Sequence, residues 1–578
     1  MAGLRLALVV ALLLTLAGAL SVVAIGRGGA PDWNMIGNDP ANSRNQPFER
    51  RIGPRNVSRL LPKWIATTTG DVSGTPAVVD GAVHFGDFGG TLWKLDAETG
   101  QVIWSASVAD FTGHSGDYAR TSPSLAGNTL VVGVIKGTPA VPCGSEPTAC
   151  PNMLGINART GALRWSARIH EDTRAAMTGS PVLAGDAVIT GISANGAGGA
   201  TSTFRAAIVA LNAQTGRILW RTFSVPALPE TNGIPGYAGA TMFAPPAVNV
   251  AAGLVYGTFG QPYHVPASVN ACHAAQDAAH GGFDESCELP GAFWKSVAAF
   301  DLRTGEPRWS YRLNRSRGIC ATQPAAVTWC APDGDAEKWD LGGSGANVMR
   351  LRMRRRGDDD GREAREDDRD AREDQSGLHH HWRDVVGIGA KSGVYTLLDA
   401  RTGEHIWSTL IGPGGDQGGV EWGTAFDGQR IYVPITNHHH IPYKLTQNGV
   451  LDIAGPTITG GSWAALDPIT GTILWQTADP QVETVPGFTN VGVWDLAPLT
   501  VANSVVYAGS MAKLASQNQF YALDAADGRI LWQWGAGASV NAGPAVVRGT
   551  VFWGSGYARS GVEGSGNRRF FAFSLDGQ

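Results

Sequence analysis

The chain has 578 residues, of which only 16% are charged, and its formal net charge is −5. This near balance gives no sign of a basic nucleic-acid-binding surface. The 77 Gly and 19 Trp residues favour many tight turns and repeated aromatic packing, which argues against a helical or a disordered protein.

The first predicted element is an export signal within residues 1–30. Residues 6–25 are almost wholly apolar and follow Arg5, as in a signal peptide or a signal anchor. Cleavage near the small residues Ala17 and Ala19 would release a secreted or periplasmic protein, whereas the uncleaved stretch is just long enough to span a bilayer once. In either case, we expect residues 31–578 to lie outside the cytoplasm.

A short phrase of the form Asp/Asn-x-x-Thr/Asp-Gly-x-x-x-Trp recurs along the chain. Its first copy lies in 91–104 (TLWKLDAETGQVIW), which predicts a strand, a tight turn and a second strand that ends at Trp104. Six further copies occupy residues 157–165, 212–220, 301–309, 399–407, 467–475 and 524–532.

A second phrase, two short strands around a turn, recurs between these copies, as in GTPAVVDGAVHFG and TSPSLAGNTLVVG. Four strands per repeat predict the blades of a β-propeller. The last copy of the second phrase is not followed by a Trp strand, but residues 60–65 (LLPKWI) resemble an orphan one. We therefore predict that residues 31–578 form a single all-β domain, an eight-bladed β-propeller of four-stranded blades, with seven blades as the alternative.

Six cysteines fall into three local pairs, which an exported protein would use as disulfides. Metal binding is the less favoured alternative because no CxxC motif occurs, and the absence of CxxCH means that no c-type haem is attached. The predicted pairs are Cys143 with Cys150, Cys272 with Cys287, and Cys320 with Cys330.

Residues 350–382 form a charged insertion within the propeller. The run 350–375 mixes both signs of charge and has almost no apolar residue, so it cannot bury a core and is predicted to be solvated or disordered. A charge-mediated contact with a partner is the alternative.

Two histidine triplets, 379–381 and 438–440, raise the question of metal binding. Consecutive histidines in a loop usually lack the facing geometry of a metal site, so we expect no physiological metal at either. No P-loop, G-x-S-x-G or H-E-x-x-H motif occurs, which leaves phosphoryl transfer, the common serine-hydrolase scheme and zinc proteolysis without support.

The repeated phrase, together with KSGVYTLLDARTGEHIW, GPGGDQGGVEWGTA and SVNAGPAVV, resembles the quinoprotein alcohol dehydrogenase-like β-propellers, and among them the polyvinyl-alcohol dehydrogenase group. The resemblance runs from about residue 32 to the last strand, interrupted by the charged insertion. It implies base-assisted hydride transfer from an alcohol, including a polymeric one, to pyrroloquinoline quinone, usually with Ca²⁺. Since no haem domain is attached, it also implies a separate electron acceptor such as a cytochrome. The alternative is a non-catalytic propeller that acts as an extracytoplasmic binding or assembly scaffold.

Five residues fall where the resembled family contacts its cofactor. Thr178, Trp422 and Asn541 have ordinary turn or packing roles as alternatives, but basic residues at the start of buried strands need an anionic partner. The five are Arg120, Thr178, Lys391, Trp422 and Asn541.

The chain departs from the resembled family at the metal and at the base. Gln261 replaces the Asn of a TGN turn and is the candidate metal ligand, while 191–200 contains no acidic residue. Met242, followed by Phe243, replaces a flat Trp, and Lys295 replaces an acidic residue. The sequence therefore identifies no catalytic residue. The candidate substitutes for the lost carboxylates are Asp284, Glu285, Asp340 and Glu421, each with the role of an ordinary loop carboxylate or a structural hydrogen-bond acceptor as the favoured alternative.

Overall fold

Each copy of the repeated phrase folds into the same tight turn. In the first copy, Asp96 Oδ1 accepts hydrogen bonds from the backbone N–H groups of Glu98 and Thr99 and from the Thr99 hydroxyl. Gly100 follows with φ 72°, a left-handed conformation that favours glycine. These two requirements explain why Asp or Asn and Gly recur at fixed spacing.

The computed structural model describes residues 32–137, 150–194, 202–227, 236–280, 285–313, 323, 340–341, 343–354, 372–373, 379–559 and 564–578. The predicted export signal, Cys143, Cys320, Cys330 and Asp284 lie outside these residues. Asp32–Gln578 form one compact unit.

The strands form eight four-stranded antiparallel blades, two of which carry one further short strand, and this confirms the eight-bladed propeller. Blade 1 consists of Ala77–Val79, Ala82–Gly86, Thr91–Asp96 and Val102–Ser107. Blade 2 consists of Ser124–Ala126, Thr129–Gly133, Met153–Asn157 and Leu163–Ala167. Blade 3 consists of Val182–Ala184, Ala187–Gly191, Ala207–Asn212 and Ile218–Phe223. Blade 4 consists of Ala247–Asn249, Leu254–Thr258, Ser296–Asp301 and Pro307–Arg312.

The second half of the ring follows the same order. Blade 5 consists of Asn347–Arg354, His379–Gly389, Val394–Asp399 and His405–Leu410. Blade 6 consists of Ala425–Phe426, Ile431–Ile435, Ser462–Leu466 and Ile473–Ala478. Blade 7 consists of Thr500–Ala502, Val505–Gly509, Phe520–Asp524 and Ile530–Trp534. Blade 8 consists of Ala545–Val547, Thr550–Ser555, Arg569–Leu575 and Leu60–Thr67.

The ring closes as predicted, because the N-terminal strand Leu60–Thr67 pairs with the C-terminal strand Arg569–Leu575. Pairing runs from Leu60 opposite Leu575 to Thr67 opposite Arg569. The two ends of the propeller thus share one blade, which leaves no open blade at the start or the end of the array.

Tryptophans join each blade to the next. The indole N–H of each donates to a backbone carbonyl of the following blade at 2.9–3.2 Å: Trp64 to Ala97, Trp104 to Ala158, Trp165 to Ala213, Trp220 to Leu302, Trp309 to Ala400, Trp407 to Pro468, Trp475 to Ala525 and Trp532 to Leu60. The same indoles cover the turn glycines, where an added Cβ would lie 2.4–3.0 Å from a ring atom: Gly100, Gly161, Gly216, Gly305, Gly403, Gly471 and Gly528. Blade 8 has no such turn, because its third and fourth strands are not consecutive in the chain.

Residues 32–46 cross the ring and join the innermost strands of seven blades. Backbone hydrogen bonds connect this segment to Val78, Leu125, Val248, Val348, Phe426 and Val501, and the Gln46 side chain donates to the Val546 carbonyl. Asn45–Gln46 also forms a parallel pair with Thr500–Ala502. The segment therefore holds the inner ends of the blades together, and we call it the crossing segment.

Smaller elements lie between the blade strands. Two-stranded hairpins pair Ala175–Ala176 with Ser193–Ala194, Ala238–Gly239 with Pro262–His264, Thr446–Gln447 with Val450–Leu451, and Val482–Val485 with Phe488–Gly492. The helices are Val57–Arg59, Val108–Thr112, Ala267–His280 and Glu285–Cys287. Among the residues that the structure describes, no helix has the length and apolar character needed to cross a membrane.

The predicted disulfide between Cys272 and Cys287 is present, and it joins helix Ala267–His280 to Glu285–Cys287. The other two pairings involve residues outside the described part of the chain and stay predictions.

Part of the stretch predicted as an insertion belongs to strands. Asn347–Arg354 continues into it and His379–Gly389 begins within it, because the two pair from Asn347 opposite Gly387 to Arg354 opposite His380. Arg372–Glu373 adds a short strand against the second of them. The strands take up residues 350–354 and 379–382, so the insertion is shorter than predicted.

Trp532→Ala is expected to destabilise the closed ring. The buried Trp532 ring contacts Phe573 at a centroid distance of 5.1 Å and its N–H reaches the closing strand at Leu60. Truncating such a buried aromatic costs about 3–5 kcal/mol, so the urea midpoint should fall. Trp382→Ala, which changes a Trp that is 52% exposed, is the control and should shift the midpoint far less. Equal shifts would contradict the role assigned to Trp532.

Candidate active site

Two adjoining cavities lie among the loops that lead into the innermost strands. Four of the five predicted cofactor-contacting residues occur three or four positions before such a strand: Arg120, Thr178, Trp422 and Asn541. Lys391 lies in the turn before Val394–Asp399. The larger cavity, of about 210 Å³, is lined by Arg120, Thr178, Lys391 and Trp422. Asn541 lines the smaller one, which shares Arg120, Thr178 and Trp422. The structure thus brings the five residues together.

Arg120 is a buried cation surrounded by aromatic rings. Its guanidinium carbon lies 5.1 Å from the Trp422 ring centroid and 5.6 Å from those of Phe88 and Tyr557. Its Nη2 donates to the Tyr557 hydroxyl at 3.1 Å. No carboxylate of the described residues pairs with Arg120. A buried guanidinium without a counter-ion is suited to bind an anionic ligand.

Lys391 lies between two buried carboxylates at the edge of the larger cavity. Its Nζ is 3.3 Å from Asp340 Oδ2 and 3.5 Å from Glu421 Oε1. Burial alone lowers the pKa of Lys391, but the charges of Glu421 and Asp340 outweigh burial and raise this pKa above its ordinary value. Lys391 therefore stays protonated and fixes the two carboxylates beside it. We call these three residues the ionic cluster.

Within the ionic cluster, Glu421 has the pKa that is best suited to proton transfer. Burial raises its pKa, the positive charge of Lys391 lowers it, and the negative charge of Asp340 raises it again, so the pKa lies at about 7. Glu421 also lines the larger cavity. A cavity-lining carboxyl group with a pKa near neutrality can take up a proton from a bound ligand and release it again.

Trp422 is held in an unusual backbone conformation, with φ 56°. Such a conformation costs on the order of 1–3 kcal/mol and persists only where neighbours enforce it. Arg44 of the crossing segment donates from Nη2 to the Trp422 carbonyl at 2.9 Å, and the Trp422 N–H donates to the Gly343 carbonyl at 3.0 Å. These contacts fix the indole as one wall of both cavities.

Arg44 supports the backbone of the cavity wall, and the sequence did not predict this role. It is fully buried, and burial without a carboxylate partner lowers its pKa to about 9. Its guanidinium lies so close to Gly423 that an added Cβ there would be 2.3 Å from Nε. The sequence NSRNQP gave no signal of this contact, because 378 positions separate Arg44 from Trp422.

Among the five predicted cofactor-contacting residues, two polar atoms have no hydrogen-bond partner within the described part of the chain. They are Trp422 Nε1 and Asn541 Oδ1, both buried. Thr178, in contrast, forms a hydrogen bond with Ser193, whose hydroxyl also donates to the Ala176 carbonyl at 2.7 Å. A bound ligand that offers both an acceptor and a donor would satisfy the two unpartnered atoms.

The residues that depart from the resembled family have distinct positions. Phe243 lines both cavities, whereas Met242 is buried in the core against Gly191. Lys295 is buried and has φ 50°. Gln261 follows Gly260, which packs against the Asp340 carboxylate, but it lines neither of the two cavities. The metal role of Gln261 therefore stays a prediction.

The candidate base residues also lie in different parts of the structure. Glu285 belongs to the disulfide-bonded helix Glu285–Cys287 and forms an ion pair with Arg312 at 3.2 Å. It is not part of the ionic cluster. Asp340 and Glu421 are the two that meet at Lys391. The sequence could not show which of these carboxylates belong to the ionic cluster, because the residues that surround each one in the fold are far away along the chain.

Comparisons with known proteins agree with the propeller fold. Residues 61–207 and 390–559, more than half of the chain, match a family model of PQQ-like repeats described as "Outer membrane protein assembly factor BamB". A polyvinylalcohol dehydrogenase from Pseudomonas sp is 26% identical over 586 residues, covering 95% of this chain and 78% of that protein. A protein of the same name from Sphingopyxis sp. is 25% identical over 599 residues, with 95% and 77% covered.

Among solved structures, the chain is similar to a quinohemoprotein alcohol dehydrogenase from Comamonas testosteroni. The TM-score is 0.63 at 20% identity, and the match covers 95% of this chain and 81% of that one. At this identity the likeness supports the fold.

The pKa of Glu421 makes stability depend on pH in the protein without added ligand. Between its ordinary pKa of 4.5 and about 7, the folded state holds a proton that the unfolded chain releases. The free energy of unfolding should therefore fall as pH rises through this window, by on the order of 3 kcal/mol. Glu421→Gln removes this component. Urea unfolding across the window measures it, with the exposed Glu98→Gln as control, and identical pH slopes in wild type and Glu421→Gln would contradict the assignment.

Proposed function

Because the chain belongs to the PQQ-like β-propeller family, together with the quinoprotein alcohol dehydrogenases, we propose that it is a quinoprotein enzyme that oxidises an alcohol in the larger cavity. The observation that carries this proposal is the ionic cluster beside the Trp422 wall. Removal of a hydride from an alcohol carbon requires that the hydroxyl proton leave, and a positioned carboxylate is the group that accepts it.

Glu421 is the residue that we assign as the general base. It lines the cavity, and its pKa of about 7 allows it to be ionised before the reaction and protonated after it. Lys391 and Asp340 position it: the ammonium group holds the Glu421 carboxylate, and Asp340 holds the ammonium group from the other side. Both are positioning residues in this scheme.

The residues around the cavity fit a flat, acidic cofactor such as pyrroloquinoline quinone. Trp422 and Phe243 supply aromatic walls, and Arg120 supplies a buried cation without a carboxylate partner. Trp422 Nε1 and Asn541 Oδ1 supply a donor and an acceptor that lack partners among the residues described. When bound, the quinone supplies the oxidant that accepts the hydride.

A hard cation such as Ca²⁺ would find its oxygen ligands at the ionic cluster. Carboxylates are the side chains that Ca²⁺ prefers, and Asp340 and Glu421 are the two that meet there. Since Glu421 must stay free to accept the proton, Asp340 is the carboxylate that would hold the ion. We propose Ca²⁺ together with the quinone.

The substrate that we propose is an alcohol that includes polymeric forms, supported by the two similar proteins named polyvinylalcohol dehydrogenase. We further propose that the enzyme acts outside the cytoplasm, supported by the apolar residues 6–25. A separate carrier such as a cytochrome would then accept the electrons, because the reduced quinone must be reoxidised before the next turnover. The alternative, a non-catalytic scaffold, predicts neither quinone binding nor turnover.

The binding part of the proposal is tested by the melting temperature of the purified full chain. Pyrroloquinoline quinone with Ca²⁺ should raise it, since a ligand at 100 times its dissociation constant stabilises the folded state by about 2.7 kcal/mol. Lys391→Ala should abolish this shift because it leaves two buried carboxylates beside the cavity without their cation, and their negative charge repels the acidic quinone. Lys63→Ala, on an outermost strand, should retain it. Absence of any shift in wild type at saturating ligand, with no dye reduction on simple alcohols, would contradict the proposal.

The catalytic part is tested by Glu421→Gln. Dye-linked alcohol oxidation should fall about 10²- to 10⁴-fold in kcat, which is the usual contribution of a general base. The amide keeps the shape of the side chain, so the thermal shift with quinone should persist. Glu98→Gln on the propeller's outer face is the matched control and should turn over like wild type. Full activity in Glu421→Gln would exclude Glu421 as the base.

A further inference from the structure

Two loops of the propeller bring an aspartate and two histidines, side chains of types that can bind metals, close together. Asp416 lies in the loop between His405–Leu410 of blade 5 and Ala425–Phe426 of blade 6, and it lines the cavity. His438 and His439 follow the strand Ile431–Ile435 of blade 6. The proposed oxidation uses none of the three.

The ligand atoms already converge. His439 Nε2 lies 2.8 Å from Asp416 Oδ1, and His438 Nδ1 lies 3.8 Å from the same oxygen. One ligand atom from each of the three residues falls within 4.8 Å of the others. A tetrahedral ion with bonds of 2.0–2.2 Å separates its ligands by about 3.3–3.5 Å. Small side-chain rotations therefore suffice to surround an ion.

The loop that carries the histidines is fixed on both sides of them. Asn437 donates from Nδ2 to the carbonyls of Ile441, Thr459 and Gly460, and its Oδ1 accepts the Ile441 N–H. His440 Nδ1 lies 3.1 Å from the Gly492 carbonyl oxygen. The anchoring of the flanking residues limits the freedom of His438 and His439, so little ordering is needed to bind an ion.

The rings and the carboxylate are positioned as well. The His438 ring packs edge-on against Trp494, with centroids 4.8 Å apart, and lies 5.2 Å from the His439 ring. The loop of Asp416 is held by a hydrogen bond from the Gly415 N–H to the Lys391 carbonyl at 2.9 Å. Asp416 Oδ1 also accepts the Gln417 N–H at 3.0 Å. Both sides of the site are therefore built from constrained backbone.

The geometry points to a binding site for one divalent transition-metal ion, of the class of Zn²⁺ or Cu²⁺, formed by Asp416, His438 and His439. Two imidazoles and one carboxylate suit such ions, whereas Ca²⁺ and Mg²⁺ prefer oxygen ligands alone. His439 and Asp416 are about half-exposed, so an ion can enter from solvent and keep coordination positions for water. This site is separate from the ionic cluster, which offers carboxylates and an ammonium group but no imidazole.

The sequence predicted no metal at residues 438–440, on an assumption about geometry that does not hold in the structure. Consecutive histidines in a loop were expected to lack facing geometry. His438 and His439 instead share a third ligand from another blade, since Asp416 lies 22 positions before His438 and meets it only in the folded ring. The sequence of the histidine triplets does not show that Asp416 lies beside His438 and His439 in the fold.

The test is a titration of the tag-free full chain with Zn²⁺ by isothermal calorimetry, without quinone. A parent variant in which residues 379–381 are replaced by Ala removes the other histidine triplet. This parent should bind one equivalent, and His439→Ala or Asp416→Asn in it should weaken binding at least about tenfold. His405→Ala, a histidine on the outermost strand of blade 5, is the matched control and should bind like the parent. Unchanged affinity in both site variants would overturn the proposal.

A second measurement identifies the ligands rather than the affinity. Cu²⁺ added at one equivalent should give an electron paramagnetic resonance spectrum with hyperfine structure from two imidazole nitrogens, reduced to one in His438→Ala. A spectrum that is the same in both proteins, or that shows no nitrogen coupling, means that His439 and Asp416 form only an ion pair and would overturn the site. Because no cofactor or substrate is used, failure here is independent of failure of alcohol oxidation.

Discussion

The structure depends on one contact made repeatedly: a tryptophan indole lies over the turn glycine of the next blade and donates to a carbonyl beside it. The glycines have φ between 71° and 77° and no room for a Cβ under the indole, so both their conformation and their size are required. Trp532 extends the series to Leu60, where the N-terminal strand completes blade 8. Blade-to-blade docking and ring closure thus use the same chemistry.

The Trp and Gly contacts join the outer parts of the blades, so they leave the sequence of the inner loops free to vary. Most residues of the site precede innermost strands, where the repeat imposes no side chain, and the crossing segment holds these strands together from within. Arg44 shows how the two are connected, since it belongs to that segment and supports the strained backbone of Trp422. The aromatic wall of the cavity is therefore tied to the segment that joins the blades.

The sequence predicted the fold well because the repeat is local. Asp96, Gly100 and Trp104 each act within a few residues or on the next blade, so spacing alone reveals their roles. The site was only partly predictable. Resemblance located Arg120 and Lys391, but the meeting of Asp340 with Glu421 and of Asp416 with His439 joins separate loops, and no local pattern encodes it. The pKa of Glu421 depends on these long-range contacts and on burial.

We propose that the larger cavity binds the quinone. A crystal structure of the full chain grown with pyrroloquinoline quinone and Ca²⁺ tests it most directly. A quinone bound there should give planar density against the Trp422 indole, with Arg120 and Lys391 beside acidic or carbonyl groups of the ligand. An empty cavity at saturating quinone, or quinone density elsewhere on the propeller, would contradict it.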